Sequence, residues 1–115
     1  MPAQREIIFD AFSERETLRG LHAQATDRAE ELYLGQDLAA YEFARREQEE
    51  ACYRLCECER ALFATRPQTV AGALALLRFA APFLDDCSAA EWGISDAVRA
   101  CIEVIEREVA FRGVG

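Results

Sequence analysis

Lysine and asparagine are absent from this chain, and histidine, methionine and tryptophan occur once each. All 13 basic residues are therefore arginine. Both missing residues are encoded by A-rich codons, so a GC-rich genome accounts for the gaps. Without lysine there is no Schiff-base nucleophile and no phosphate loop ending in Gly-Lys. With His22 as the sole imidazole, no site built on several histidines forms. The six glycines are scattered, and Gly113-Val114-Gly115 is a terminal tail rather than a phosphate cradle. Long apolar runs are missing too. The opening run Ile7-Ile8-Phe9 is far shorter than the core of a secretory signal. The longest nearly uncharged stretch, Val70 to Leu84, is too short for a bilayer and carries Arg78 and Pro82.

What is present is an ordinary globular composition, 115 residues with 51% hydrophobic and 30% charged, which fits a single helical domain over residues 1–115. The 13 Arg stand against 21 Asp+Glu, a net charge of −8. That balance speaks against direct nucleic-acid binding and against anionic membranes, both of which need a positive footprint. Five cysteines, an odd number on helical patterns, suit a reducing compartment better than a disulfide framework. A cytoplasmic protein is expected.

The apolar spacing is helical throughout. Pro2 suits a first turn, and Ile7, Ile8, Ala11 and Phe12 form a short N-terminal helical segment. Ser13 and Glu16 have the form of a capping box, so a restart or a bend of the helix is expected there. Leu18, Leu21, Ala25, Ala29 and Leu32 follow, with Gly35 as the expected C-terminal cap. Asp37 caps a helix to about Ala64, with Leu38, Tyr41, Cys52, Leu55, Cys56, Leu62 and Phe63 along one side. Its polar middle is a solvated face, where Glu42/Arg46 and Glu50/Arg54 are spaced to pair. Arg66-Pro67 ends it, and Thr69 caps a third helix, apolar nearly all round, which Pro82 stops or kinks. Such a helix needs cover on more than one side. Ser88 with Glu91, or Ser95, starts the last helix, whose stripe is Ile94, Val98, Cys101, Ile102, Ile105 and Val109. Gly113 and Gly115 release its end. The expected fold is all-α, a compact bundle of about four main helices.

Candidate chemistry is sparse. Cys52 and Cys56 share a helix face, but Cys58 is turned about 200° from Cys56, so one helix does not offer all three to one ion. Two further ligands, such as Cys87 and Cys101, would have to join, and the spacing fits no common zinc pattern. Buried packing is the plainer role for cysteines so placed. A di-iron site needs Glu-x-x-His on two helices, and no glutamate stands three residues before His22. No cofactor and no catalytic residue is expected, and the chain reads as a non-enzyme.

Arg66-Pro67-Gln68-Thr69-Val70-Ala71-Gly72, then Leu76-Leu77-Arg78-Phe79-Ala80 with Trp92 downstream, resembles the C-terminal half of small uncharacterised helical proteins from alphaproteobacteria. The resemblance covers about residues 60–105 and implies a helical fold; no activity is established for that family to carry over.

The expectation for function is protein–protein contact, as a homodimer or with another protein. The surplus apolar surface of the third helix motivates it, with Arg78, Leu76, Phe79, Phe83 and Trp92 as the interface. The rival readings are an acidic inhibitor of phage type, blocking the nucleic-acid surface of a defence nuclease, and a thiolate metal or redox protein. The first rival requires a contiguous negative face, yet Arg is interspersed along every helix.

Overall fold

The caps and spacings become four α-helices in the computed structural model, which describes residues 6–84 and 93–114. They are α1 (Ile7–Leu34), α2 (Leu38–Ala64), α3 (Val70–Ala80) and α4 (Ile94–Val114). A 3-10 turn, Ala81–Phe83, follows α3, and no strand occurs among the described residues. The protein is all-α, as its periodicity predicts. Its contacts divide it into two units: Ser13–Glu59, and Met1–Phe12 together with Arg60–Gly115. No helix among the described residues is long and apolar enough to cross a membrane.

In the unit Ser13–Glu59, α1 and α2 form an antiparallel hairpin. Arg15 Nε donates to Glu59 Oε2 at 2.8 Å, Gln48 Nε2 donates to Thr26 Oγ1 at 3.1 Å, and the Tyr33 and Tyr41 rings lie 5.2 Å apart. Each step forward on α1 is thus matched by a step back on α2. The inward residues of α1 are Arg15, Leu18, His22, Ala25, Ala29 and Leu32. Those of α2 are Tyr41, Ala44, Gln48, Ala51, Leu55 and Cys58. Spacings alternate between three and four, the pattern of a coiled-coil seam. Ala29 and Ala44 are buried, and their small side chains let the helices pack closely. Leu38 and Cys52, expected on the inner side, are exposed instead.

Three local expectations change in this unit. The helix does not restart at Ser13: its carbonyl accepts the Thr17 hydroxyl at 3.3 Å inside a continuous helix. No Gly or Pro lies between Ile8 and Arg19. A break there would have orphaned the backbone N–H groups of a new first turn, more than a serine cap recovers. At the other end, the left-handed residue is Gln36, at φ 60°, not Gly35. Gln36 N–H reaches the Tyr33 carbonyl at 3.1 Å and Asp37 N–H the Leu32 carbonyl at 3.3 Å, a Schellman ending with glutamine in the glycine position. Asp37 then caps α2, its Oδ1 accepting from Ala40 N–H at 3.2 Å. Finally, Arg45 rather than Arg46 holds Glu42, at 3.4 Å, and it also holds Glu49, at 2.5 Å.

In the other unit, the core comprises Ile8, Leu62, Phe63, Leu76, Ile94, Cys101 and small residues between them. Phe79 is stacked on Phe63 at 4.9 Å and meets Phe12 and Phe83 edge to face at 5.6 and 5.3 Å. Thr69 caps α3, its Oγ1 accepting from Gly72 N–H at 3.0 Å. The helix stops at Ala80, where Pro82 withdraws a donor. Gly93, at φ 75°, precedes α4, and its carbonyl accepts from Ala97 N–H at 3.1 Å, so the helix starts one residue before Ser95. It also runs on through Gly113, past its expected release. The Pro2 turn, the Ser88/Glu91 box, Cys87 and Trp92 lie outside the described residues.

Candidate interaction surface

The residues expected at an interface take different places. Gly72, Ala73, Leu76 and Ala80 are buried on α3, and Leu76 presents no surface to a partner. Phe79 and Phe83 are half-buried within the aromatic cluster. The strip of α3 left open is narrow, formed by Ala71, Leu74 and Arg78. Arg78 stands in water there, and among the described residues no carboxylate pairs with it. Its isolation in an apolar run reflects a one-residue-wide wet stripe, not a buried ion pair. Hence the apolar surplus expected on α3 is largely absorbed by its own unit.

Large exposed apolar side chains occur on both units: Ile7, Leu74, Leu84, Ile102, Val109 and Phe111 in the one, and Leu21, Tyr33, Leu34, Leu38, Phe43 and Tyr53 on the hairpin. Two of the latter flank a groove. Leu21 and Ala25 form its α1 side, and Phe43 and Ala51 its α2 side. Leu21 is 43% and Phe43 60% exposed, so its flanks are both apolar and open. Arg46, Glu47, Glu50 and Arg54 rim it. Among the described residues none of these four makes an ion pair, in contrast to Arg45 around the helix. Hydropathy assigned Leu21 to the core; its position one residue off the seam of α1 is the signal that places it outside.

The thiols do not assemble a centre. Cys52 is exposed, Cys56 and Cys58 are half-buried, and Cys101 is buried in the other unit's core. Burial pushes the Cys58 thiol up, the Glu14 and Glu59 carboxylates push it further, and Arg15 opposes them. Burial likewise pushes the Cys101 thiol up. Thiols so disposed are weak nucleophiles at neutral pH. His22 sits in the hairpin seam, its carbonyl accepting the Thr26 hydroxyl at 2.9 Å. Among the described residues no three His, Cys, Asp or Glu side chains gather where they could hold a metal ion.

No protein-family model, no curated protein and no solved structure matches the chain.

Proposed function

We propose that this is a non-enzymatic protein that works through protein–protein contact and associates with itself as a homodimer. The observation that carries the reading is the hairpin's outer apolar surface. Two helices bury only the seam between them, and this seam is narrow and rich in alanine. Leu21, Phe43 and Tyr53 are left in water on a hairpin in which only Leu18, Ala29, Ala44 and Glu59 are buried. Apolar residues scattered singly need no explanation, but a groove flanked by them, as Leu21 and Phe43 flank this one, is the usual mark of a contact site. Two-fold pairing is the commonest way for a small soluble chain to cover such a surface. The acidic-inhibitor reading gains less support, because the rim of the groove carries as many arginines as glutamates. Light scattering across a dilution series tests the proposal. The mass of two chains, falling to one on dilution, is the expected result. A strict monomer at high micromolar concentration overturns it.

A further inference from the structure

We infer that the groove between Leu21 and Phe43 is the two-fold contact of that homodimer, and that a second copy of this chain lays the same face of α2 into it. The inference rests on the self-association reading and adds its location and register.

Phe43, Arg46, Glu47, Glu50, Ala51 and Arg54 are spaced to share one face of α2. Two features of that face select a second copy as its occupant. The first is charge. Each chain carries −8, so two copies repel overall, yet this face holds two arginines and two glutamates and is locally neutral. None of the four has an ion-pair partner among the described residues of its own chain, so each is free for one across a dimer axis. A two-fold interface is self-complementary: if residue i meets residue j, then j also meets i. An antiparallel crossing about the Glu50–Ala51 step sets Glu47 of each copy opposite Arg54 of the other. That makes two charge-complementary contacts from one pair of residues.

The second feature is shape. Ala51 stands at the crossing point and Ala25 lines the same groove from α1, and side chains this small let a second helix approach closely. Leu21 and Phe43 rise on either side and supply the apolar area that the crossing removes from water. The product is a four-helix arrangement in which each hairpin supplies the cover the other lacks.

A charge-swap set tests the inference by sedimentation equilibrium, with helicity checked by circular dichroism. Glu47→Arg alone and Arg54→Glu alone each place like charges at both symmetric contacts, and each is expected to weaken the dimer about tenfold. Mixing the two variants restores opposite charges at both contacts and is expected to return near-wild-type association as a heterodimer. The double variant Glu47→Arg/Arg54→Glu in one chain is expected to recover homodimerisation, which only the stated register provides. Leu21→Arg with Phe43→Arg is expected to give folded monomer. If the wild type dimerises and these variants dimerise equally well, the groove assignment is overturned while self-association stands. If mixing rescues but the single-chain double variant does not, the register is overturned. A monomeric wild type overturns both.

Discussion

The carboxylate of Glu6 occupies the space that a side chain on Gly72 would need. A Cβ at Gly72 would stand 2.5 Å from Oε2 and 2.6 Å from Oε1. From there Glu6 accepts the Gln68 N–H and, at 2.5 Å, the Thr69 hydroxyl, while Thr69 in turn accepts from Gly72 N–H. A chain segment before α1 thereby supplies the negative charge that the N-terminus of α3 lacks in its own first turn.

That relationship predicts a sign change. Glycine to alanine inside a helix ordinarily stabilises by about 0.5–1 kcal/mol. Here Gly72→Ala displaces a flexible carboxylate from two bonds to a charged acceptor, worth together about 1–2 kcal/mol at this partial exposure. In the wild type the substitution is expected to be neutral or destabilising, and in a Glu6→Ala background it is expected to stabilise. Urea denaturation of the four proteins measures the coupling. Additive effects would show that Glu6 does not hold α3.

The α1–α2 turn gives a second prediction. Gln36 adopts φ 60°, which costs a residue with a Cβ about 1 kcal/mol. Gln36→Gly is therefore expected to raise stability by about that amount. Gly35 is not left-handed, and a Cβ there meets only the Glu31 and Leu32 carbonyls at 3.4 and 3.8 Å. Gly35→Ala is expected to be tolerated or to stabilise by up to about 1 kcal/mol. Thermal melts decide, and a loss of stability in Gly35→Ala would reverse the assignment of the cap.

What was legible in the sequence was local. Asp37, Thr69 and Pro82 act within three or four residues of themselves, and each does what its chemistry predicts. Gln36 was missed because a glycine beside it looked like the better cap. The Glu6 clamp joins residues 62 and 63 positions apart, and no local pattern announces it. The hairpin seam was legible only in part: Leu18, Ala25, Ala29 and Leu32 fall on the expected stripe of α1, but Ala44 and Gln48 on α2 carry little hydropathy, while Leu21 carries much and lies outside. The groove was illegible for that reason, since counting apolar residues assigns them inward whichever side of the seam they fall on.

Two arginines separate burial from isolation. Arg15 lies in the hairpin seam with Glu59, side chains 19% and 11% exposed. Arg15→Ala strands that carboxylate and is expected to cost about 2–3 kcal/mol, below the 3–5 kcal/mol of a fully buried pair. Glu59→Gln leaves no stranded anion and is expected to cost about half as much. Arg78→Ala removes a side chain from open water and is expected to fall within about 0.5 kcal/mol of the wild type. Urea midpoints rank the three. A severe loss in Arg78→Ala would overturn the placement of that side chain in open water.

The thiols carry the pH dependence. Desolvation raises Cys58 and Cys101, with Glu14 and Glu59 adding to the rise at Cys58. In the unfolded chain both thiols titrate near their ordinary value of 9.0, so on raising the pH the unfolded state loses its protons first. Below that value these groups leave stability unchanged. Above it, the folded state binds more protons than the unfolded one, and stability falls as pH climbs towards the raised folded values. Melting temperatures from pH 7 to pH 10 are expected to decline more steeply in the wild type than in Cys58→Ser, whatever the variant's starting stability. The same burial sets reactivity. At neutral pH iodoacetamide is expected to label exposed Cys52 well before Cys58 or Cys101, as peptide mass analysis at short times would reveal. Equal labelling of Cys52 and Cys101 in the native protein would contradict the buried position of Cys101 in the core.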